Sequence, residues 1–395
     1  MKTMQAVILS AGKSTRTYPL TLTRPKALLP IANRPILSHQ LEALQGIVKE
    51  AIIIVGYQGD MIQKKYGNYF GNIKLIFIEQ RDQLGTGHAL LQARGLLKKR
   101  FLVLNGDDLY GHDDLKKLAK TRFGILVKEA KDIQRFGAVI VQQGRVVKII
   151  EKPEKPVTQL ANTGAYCFET DIFAEKIEKS ARGEYEITDY VNRVAAKQKV
   201  LPVIVKECWI PVGRPWDMLA ANEYVLNQMR GQTIKGEIEK GVMIKGAVKI
   251  GKGTVIKSGT YIEGPVVIGE NCEIGPHAYL RSHTSIGDGC RIRAEVVDSI
   301  LMVNVTAKHF SYIGHSVIGE DCNIAAGVVT ADYRHDEKTN VILVKGQKVD
   351  TGRRKLGAFL GDRVKTGINT CIYPGRMIWP DRNTLPGEVV DKDIE

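Results

Sequence analysis

The chain has 395 residues, more than one ordinary hydrophobic core supports, and its 44% hydrophobic and 25% charged content is typical of a globular protein with two domains. Its apolar runs are too short for a membrane span or a signal peptide, and its six cysteines include no CxxC pair, so we expect a cytoplasmic protein without a zinc site or disulfide framework. The net charge of +14 favours anionic partners, but without a basic tail it indicates phosphorylated metabolites rather than nucleic acid.

The first half alternates predicted strands with predicted helices. Buried strands are expected at 5–10, 51–55, 75–78 and 101–104, helices within 35–48 and 87–97, and an added hairpin over 138–150. This alternation predicts an α/β domain with a mainly parallel, doubly wound, Rossmann-like sheet. A helix over 216–229 ends near Gly231, so we place the first domain at 1–230 and a second domain at 231–395.

The first strand leads directly into the loop "SAGKSTRTYPLTLTRPK", residues 10–26. A flexible turn at Gly12 exposes backbone N–H groups that can bind a phosphate, and Lys13, Arg16 and Lys26 add positive charge. The loop matches neither a Walker A motif nor GxGxxG. It therefore predicts a phosphate-binding loop, with a solvated basic turn as the alternative.

The fourth strand ends in "NGDDLY", residues 105–110. Acidic residues at the carboxyl edge of a parallel sheet lie where ligands bind. Asp107 is therefore a candidate ligand for a Mg²⁺ ion carried by a nucleotide, and the alternative role is a helix N-cap.

The second half repeats every six residues. Large aliphatic residues occur nine times in succession at this spacing, at Ile244, Ile250, Ile256, Ile262, Ile268, Ile274, Leu280, Ile286 and Ile292. Six is not a multiple of 3.6, so the pattern excludes an α-helix. It is the hexapeptide signature of a left-handed parallel β-helix, in which three hexapeptides form one triangular coil and residues 18 apart stack. Small inward positions of the repeat hold Cys272, Cys290 and Cys322, which we expect in the core.

The repeat is interrupted after Ile292, resumes at Ile318 and is interrupted again by a loop at about 332–354. In a solenoid such breaks carry binding loops. The first break contains "TAKHFSYIGHS", residues 306–316, with two histidines six residues apart. Residues six apart lie on successive faces of the coil, so we expect His309 and His315 not to share a metal ion. Position 309 points outward in either possible register, as a surface histidine or as a catalytic base.

Several motifs occur in the order typical of the sugar-1-phosphate nucleotidyltransferases. They are "AGKSTRTYPLTLTRPK", "QLGTGHA", "NGDD", "FGAV", "EKP" and "NTGAY". With the hexapeptide domain and "TGRRKLGAFLGDRVKTGIN" at 351–369, the whole chain resembles the archaeal form of the bifunctional enzymes of this family. Those enzymes acetylate glucosamine-1-phosphate from acetyl-CoA and then uridylylate the product. The resemblance implies acetyl-CoA sites between neighbouring subunits, and we expect a homotrimer joined through the β-helix, with no nucleic-acid or membrane partner.

The resemblance implies a role for each matched residue of the first domain. The triphosphate and the reacting phosphoryl group are assigned to Gly12, Lys13, Arg16 and Lys26, the pyrimidine to Gln80, Gln83, Gly85 and Thr86, Mg²⁺ or Mn²⁺ to Asp107, and the sugar phosphate to Gly137, Glu151 and Asn162. The "QLGTG" form is more similar to the uridylyl than to the thymidylyl enzymes. Both UTP and dTTP, and both gluco and galacto sugars, stay open.

In the second domain, "AKHFSYIGHSVIGEDCNIAAG" resembles the acetyltransferase core. The resemblance makes His309 the general base that takes a proton from the sugar amine. It assigns the substrates to Arg281, Tyr312, Asn323, Ala326, Asp332 and Tyr333, together with a lysine for which Lys338 and Lys355 compete.

Three positions depart from the family pattern. Pro211 stands where the family has a metal-binding Asp or Asn, and a proline side chain cannot ligate a metal. Val297 stands where a substrate-binding lysine is expected, and Asp332 replaces an expected Asn. The first departure bears on the metal geometry and the second on how the sugar phosphate is bound.

Two other functions remain open at this point. One is a thymidylyl- or guanylyltransferase with a structural β-helix, which leaves His309 without a role. The other is a non-catalytic regulatory subunit resembling those of translation-initiation exchange factors, with which Pro211 is compatible. The retained phosphate loop and His309 favour the bifunctional enzyme over both.

Overall fold

The computed structural model describes residues 4–174, 176–344 and 346–395. The chain divides into two compact units, the first formed by Met1–Lys13, Pro25–Leu28 and Ile36–Pro211, the second by Ser14–Arg24, Leu29–Pro35 and Val212–Glu395. Loop 10–26 thus contributes residues to both units. Among the described residues, no helix has the length and apolar character needed to cross a membrane. The division at residue 230 stays a prediction.

The regular elements that precede the repeats follow one another closely. The strands are β1 (Gln5–Ser10), β2 (Pro30–Ile31), β3 (Arg34–Pro35), β4 (Glu50–Val55), β5 (Tyr69–Phe70), β6 (Ile73–Glu79), β7 (Arg100–Asn105), β8 (Asp108–Tyr110), β9 (Gly124–Glu129), β10 (Gly137–Gln142), β11 (Arg145–Glu151), β12 (Leu160–Glu169), β13 (Leu201–Ile204) and β14 (Trp209–Pro211). The α-helices are α1 (Ile36–Ala43), α2 (Gly59–Tyr66), α3 (Thr86–Gln92), α4 (His112–Leu118), α5 (Ile187–Lys197) and α6 (Asp217–Asn227).

The first unit is built on a ten-stranded mixed sheet. Its central strands β7, β1, β4 and β6 run parallel, as the alternation of strands and helices predicts. On one side β12 joins antiparallel to β7, and the predicted hairpin is the antiparallel pair of β10 and β11 beyond it. The sheet is therefore parallel at its centre and antiparallel at this edge. The two strands of a hairpin run in opposite directions, because the connecting turn is short.

The central sheet is covered on both faces. Along β1, Val7 belongs to one hydrophobic core and Ile8 to the other, since successive side chains of a strand point to opposite faces. The carboxyl ends of the parallel strands meet at one edge. Gly12 follows β1, Gln80 follows β6 and Asp107 follows β7, so this edge carries the candidate nucleotide site.

The second unit contains the strands of the repeats. They are β15 (Gln232–Ile234), β16 (Glu237–Ile238), β17 (Met243–Lys245), β18 (Val248–Ile250), β19 (Val255–Ile256), β20 (Tyr261–Glu263), β21 (Val266–Ile268), β22 (Glu273–Ile274), β23 (Tyr279–Leu280), β24 (Thr284–Ile286), β25 (Arg291–Ile292), β26 (Glu295–Val297), β27 (Ile300–Leu301), β28 (Thr306–Ala307), β29 (Tyr312–Gly314), β30 (Val317–Ile318), β31 (Val329–Thr330), β32 (Val341–Val344), β33 (Gln347–Asp350), β34 (Phe359–Leu360), β35 (Cys371–Ile372), β36 (Met377–Ile378) and β37 (Val389–Val390).

All of these strands except β32 and β33 form three parallel sheets, the three faces of the predicted left-handed β-helix. Face 1 has the order β15-β18-β21-β24-β27-β30-β34-β36, face 2 the order β16-β19-β22-β25-β28, and face 3 the order β17-β20-β23-β26-β29-β31-β35-β37. The hairpin of β32 and β33 leaves the coil within the loop predicted at 332–354. The break in the repeat is therefore an excursion from an otherwise continuous solenoid.

The first and last coils keep the predicted 18-residue spacing, but the coils between them do not. Ile250 pairs with Ile268 and then Ile286 on face 1, whereas Tyr279 pairs with Glu295 on face 3, two residues short of a full coil. The aliphatic residues still face inward, and Cys272, Cys290 and Cys322 lie in the same hydrophobic core, as predicted. The shortened coils explain why the hexapeptide pattern fades after Ile292.

Candidate active sites

The phosphate loop begins with the last residue of β1. Gly12 and Lys13 are exposed, and a side chain added at Gly12 would meet no atom within 4 Å. Arg16 is also exposed, in a short 3-10 helix over Thr15–Thr17 that belongs to the second unit. These residues are thus accessible to an anionic ligand.

Lys26 behaves differently from the rest of the loop because its side chain is buried. Its Nζ atom lies 2.9 Å from Oδ2 of Asp107, while about a third of the Asp107 side chain remains exposed. The structure thus brings together the predicted cation and the predicted metal ligand. A buried ammonium held by one carboxylate can release that carboxylate to a cation and turn to a phosphate instead.

Next to Asp107, Asp108 is fully buried and serves the fold. Its Oδ2 atom accepts hydrogen bonds from Trp209 Nε1 at 3.0 Å and from the Tyr110 hydroxyl at 3.3 Å. Burial, and then the neighbouring charge of Asp107, raise the pKa of Asp108 well above its usual range. Pro211 lies opposite Asp108 in the β8–β14 pair. The proline that differs from the family pattern is therefore next to this buried acid.

These observations test how the first unit fits a metal ion. Among the described residues no cluster of three or more acidic, histidine or cysteine side chains could hold one. Of positions 107, 108 and 211, only Asp107 offers an accessible carboxylate, because Asp108 is occupied and Pro211 has no ligand atom in its side chain. A single carboxylate fits Mg²⁺ that arrives with a triphosphate, since this ion takes its remaining ligands from phosphate oxygens and water.

The residues assigned to the base surround the start of α3. Gln80 is buried and its Nε2 atom donates to the Gly85 carbonyl at 3.2 Å. Gly85 has φ +106° and a side chain there would meet the Tyr185 carbonyl at 2.6 Å, so only glycine fits this turn. The Thr86 hydroxyl accepts a hydrogen bond from the Ile187 N–H, whereas Gln83 is exposed.

The three residues assigned to the sugar lie together on adjacent strands. Gly137 pairs with Glu151, and a side chain on Gly137 would approach the Glu151 carboxylate at 3.0 Å and Asn162 Cβ at 3.3 Å. The Asn162 amide donates to the Tyr166 hydroxyl at 2.7 Å. Arg182 lies 3.7 Å from Glu151 and 3.1 Å from Glu186, and sequence reasoning missed this cation because it comes from a distant loop.

In the second unit, His309 is exposed at the end of face 2, as its outward position predicts. It borders a cavity of about 160 Å³ lined by Glu273, Gly275, Pro276, Arg291, Ile292, Arg293, Lys308 and His309. We call this cavity the His309 groove. The hydrogen bond from Lys257, helped by the charges of Lys308 and Arg291, lowers the pKa of Glu273.

The His309 groove is strongly basic. Among the described residues, Arg291, Arg293 and Lys308 form no ion pair of 4.0 Å or less, while the one acid, Glu273, pairs with Lys257 at 2.9 Å. The sequence analysis did not select these three cations. Their signal was the dense basic pattern of "CRIRAE" and "AKH", which the repeat places on neighbouring coils of face 2.

Face 3 carries a second cluster of predicted residues. Arg281 donates to the Glu295 carboxylate at 3.0 Å, and Glu295 pairs along the solenoid with Tyr312. The Tyr312 hydroxyl donates to Oδ2 of Asp332 at 2.8 Å. His315 borders the same Asp332 and is absent from the His309 groove, so the two histidines belong to different clusters.

The remaining predicted residues extend these two regions. Asn323 lies on the coil after Thr306, and the Gly327 N–H, next to Ala326, donates to the His309 carbonyl at 3.4 Å. Tyr333 is exposed and pairs with Lys355 in an antiparallel bridge. Lys338 lies in an exposed turn where its N–H donates to Asp336.

Comparison with known proteins matches both halves of the chain. A nucleotidyl transferase family model matches residues 5–228, and a GMPPB C-terminal domain model matches residues 261–383. The bifunctional protein GlmU of Methanocaldococcus jannaschii is 40% identical, with 99% of this chain and 96% of that protein covered. The chain belongs to the bifunctional sugar-1-phosphate nucleotidylyltransferase/acetyltransferase family.

Two further comparisons agree with membership of this family. A Sulfurisphaera tokodaii protein named bifunctional sugar-1-phosphate nucleotidylyltransferase/acetyltransferase is 38% identical, with 99% and 98% of the two chains covered. A crystal structure of a putative glucose-1-phosphate thymidylyltransferase from Bacillus anthracis is 25% identical, with a TM-score of 0.52 over 58% of this chain and 97% of that one. The solved structure therefore corresponds to part of the chain, and the bifunctional relatives correspond to nearly all of it.

Proposed function

We propose that this protein acetylates glucosamine-1-phosphate with acetyl-CoA and then transfers a uridylyl group from UTP to the product, forming UDP-N-acetylglucosamine. The observation that carries the proposal is the match to bifunctional relatives along 99% of the chain. The residues of each half support one of the two reactions. The second unit has an exposed histidine in a basic groove, and the first has a cation and a carboxylate at the nucleotide edge of its sheet.

For acetyl transfer, we assign the role of general base to His309. An ammonium group cannot attack a thioester, so the amino sugar must lose a proton, and an imidazole is suited to take it near neutral pH. The amine nitrogen then forms a bond to the acetyl carbonyl carbon, the bond to sulfur breaks, and coenzyme A leaves as its thiol. The exposed position of His309 beside Ala326 and Gly327 leaves room for both substrates.

The charge of the His309 groove supports phosphorylated substrates. Both an amino-sugar phosphate and acetyl-CoA are anions, and Arg291, Arg293 and Lys308 have no carboxylate partners among the described residues. Cations without partners attract phosphate groups and hold them by charge-assisted hydrogen bonds. We therefore add these three residues to the acetyl-transfer site.

For uridylyl transfer, the phosphate oxygen of the sugar phosphate attacks the α-phosphorus of UTP. A bond forms between these two atoms. The bond between the α-phosphorus and the oxygen that bridges the α- and β-phosphates breaks, and pyrophosphate leaves. Lys26 and Arg16 are assigned to the charge that develops on the phosphates, and Asp107 to Mg²⁺ or Mn²⁺. When bound, the divalent ion supplies charge neutralisation on the triphosphate.

The sugar phosphate of this second reaction is assigned to the cluster of Gly137, Glu151 and Asn162. The close approach at Gly137 supports this role, because the missing side chain leaves space between a carboxylate and an amide. Gln80, Gln83, Gly85 and Thr86 are assigned to the base. The exposure of Gln83 at the turn before α3 supports this assignment, since a ligand can reach its side chain there.

The other assignments follow from the same clusters. Tyr333 and Lys355 form an isolated bridge, which supports Lys355 over Lys338 as the lysine of the acetyl-transfer site. We also propose that the protein is a homotrimer through its β-helix, with acetyl-CoA between subunits, and that it is cytoplasmic. No observation favours the structural β-helix or the regulatory subunit.

A substrate-omission assay tests the proposal. The wild-type protein is incubated with glucosamine-1-phosphate, acetyl-CoA and UTP, and thiol and pyrophosphate are measured separately. Thiol release should require the amino sugar, and pyrophosphate release should require the nucleotide and a divalent ion. Pyrophosphate without thiol would support a nucleotidyltransferase with a structural β-helix, and neither product, with UTP, dTTP or GTP, would support a regulatory protein.

A further inference from the structure

Three side chains from successive coils meet at one corner after face 3. Asp298, His315 and Asp332 are each 17 residues apart and follow β26, β29 and β31. His315 Nδ1 lies 2.9 Å from Asp298 Oδ2, and His315 Nε2 lies 3.3 Å from Asp332 Oδ2. Arg353, from the excursion, donates to Asp298 at 2.7 Å, and Tyr312 donates to Asp332 at 2.8 Å. We call these five residues the corner network.

The corner network is largely shielded from solvent. The side chains of His315, Asp298 and Asp332 are 12%, 11% and 12% exposed, and the Oδ1 atom of Asp298 is buried without a hydrogen-bond partner among the described residues. Two carboxylates this close to one another and this far from water need positive partners. Arg353 supplies one, and His315 lies between the two acids.

The two ring nitrogens of His315 define its role in the network. Each faces a carboxylate oxygen, which can only accept a hydrogen bond when ionised. Nδ1 forms a hydrogen bond with Asp298, whereas Nε2 contacts Asp332 without hydrogen-bond geometry. The His315 ring therefore bridges the two acids, and Arg353 pairs with Asp298 from the other side of the network. Glu295 and Arg281, which also surround Tyr312, pair with each other.

The direction of the hydrogen bond between Tyr312 and Asp332 determines whether the Tyr312 hydroxyl can donate to a substrate or accept from it. Burial, and then the hydrogen bond and charge of Asp332, raise the pKa of Tyr312, so the phenol keeps its proton. That proton is directed to Asp332, which leaves the lone pairs of the phenol oxygen free. Tyr312 can therefore accept a hydrogen bond from an N–H or O–H group of a ligand but not donate one.

We propose that His315 is a positioning residue of the acetyl-transfer site: it holds the Asp332 carboxylate, which directs the Tyr312 hydroxyl so that its oxygen accepts a hydrogen bond from the amino sugar. This inference rests on the proposed acetyl transfer. It adds His315 and Asp298, which the family resemblance did not assign. It also gives a reason for Asp332 in place of the expected Asn, because one carboxylate oxygen here contacts both the Tyr312 hydroxyl and the His315 ring.

A double-mutant cycle tests this dependence. His315→Asn keeps a residue type that tolerates the left-handed backbone at position 315, where φ is 50°. In the wild-type background it should lower kcat/KM for glucosamine-1-phosphate about ten-fold, within the range of couplings between contacting residues, and leave the KM for acetyl-CoA unchanged. In the Asp332→Asn background the same change should cost about two-fold or less, because the carboxylate that His315 holds is already absent.

His283→Asn is the matched control. His283 is also a corner histidine of the β-helix, with φ 64°, but its Nε2 atom faces the neutral side chain of Asn227 at 3.0 Å. This substitution should leave both kinetic constants unchanged. Asp298→Asn is a second variant of the network, which keeps the shape of the acid, removes the charge facing His315 and should also lower kcat/KM for the amino sugar. If His315→Asn does not fold, the kinetics of Asp298→Asn test the positioning role instead.

The outcomes separate this proposal from the proposed function. Wild-type protein that releases no thiol contradicts acetyl transfer and, with it, the role of His315. Active wild-type protein in which His315→Asn costs the same in both backgrounds, or costs nothing, contradicts the positioning role alone. A rise in the KM for acetyl-CoA rather than for the amino sugar also contradicts it. Tm and pyrophosphate release by each variant confirm that the fold is intact.

Discussion

Lys26 Nζ lies 2.9 Å from Asp107 Oδ2, and this contact joins the predicted phosphate-binding lysine directly to the predicted metal ligand. The lysine is buried, whereas the carboxylate is partly open to solvent. Asp107 would be available to hold a divalent ion that arrives with a triphosphate, and Lys26 would then be available to a phosphate oxygen. The relationship gives the first unit its most specific test.

Asp107→Ala should abolish pyrophosphate release and spare thiol release. The substitution removes the accessible carboxylate among Asp107, Asp108 and Pro211, and no other side chain there can replace it. Pyrophosphate and thiol are measured on the same preparation. Asp60→Ala, at an exposed acid in α2, is the control and should change neither rate.

His309→Ala should lower acetyl transfer by about 10²–10⁴-fold, the usual range for a general base, and leave uridylyl transfer intact. The reason is that the other ionisable residues of the His309 groove are three cations and Glu273, whose pKa is lowered by the hydrogen bond from Lys257, so none of them is suited to take the proton of the amine. Thiol release from glucosamine-1-phosphate measures the effect. Near-normal thiol release would mean that His309 is only a surface residue.

Replacing both Arg291 and Lys308 with Ala should raise the KM for a phosphorylated substrate about three- to ten-fold, as expected for exposed charges. The matched control is Lys249→Ala, an exposed cation on face 1. Comparing glucosamine-1-phosphate, acetyl-CoA and acetyl-dephospho-CoA identifies which phosphate is held. Unchanged KM values for all three would remove these cations from the site.

The stability of Asp108→Asn relative to the wild type should increase as the pH rises. The folded pKa of Asp108 is raised, so its contribution is present below the unfolded pKa near 4 and is lost as the pH rises through the folded value. The amide of Asn does not ionise as the pH rises, and its oxygen can still accept the hydrogen bond from Trp209 Nε1. The Tm difference between variant and wild type should therefore grow from about pH 4 upward, and a constant difference would contradict the argument.

In the folded protein, a thiol reagent should label no more than one cysteine per chain. Burial raises the pKa of Cys167 to about 11 and that of Cys322 to about 12, and Cys371 is the exposed one of the six. Buried thiols are unreactive because the thiolate is the nucleophile. All six should react after unfolding in denaturant, and rapid labelling of two or more in the native state would contradict the packing.

The fold was largely predictable because its signals are local and repeated. Nine aliphatic residues at a spacing of six can be accommodated only if each lies inside a triangular coil, and the structure places them there. The spacing of later coils could not be predicted in the same way. Between Leu280 and Val296 the coil is two residues shorter, and no sequence period marks this change.

The candidate sites also include residues that the sequence could place together and residues that it could not. Gly137 and Glu151 could be placed together from the predicted hairpin and its motifs, and the structure pairs them. The corner network could not be foreseen, because stacking at 18 residues would not align Asp298 with His315. The actual spacing of 17 aligns them, and Arg353 reaches the corner from an excursion with no repeat.

The most direct test of the bifunctional account measures thiol and pyrophosphate in parallel for wild-type, Asp107→Ala and His309→Ala proteins under the same conditions. The account predicts that wild type releases both products, that Asp107→Ala releases thiol alone, and that His309→Ala, given N-acetylglucosamine-1-phosphate and UTP, releases pyrophosphate while failing to release thiol from glucosamine-1-phosphate. A result in which either substitution abolishes both activities, or neither substitution affects its own, would contradict two separate sites on one chain.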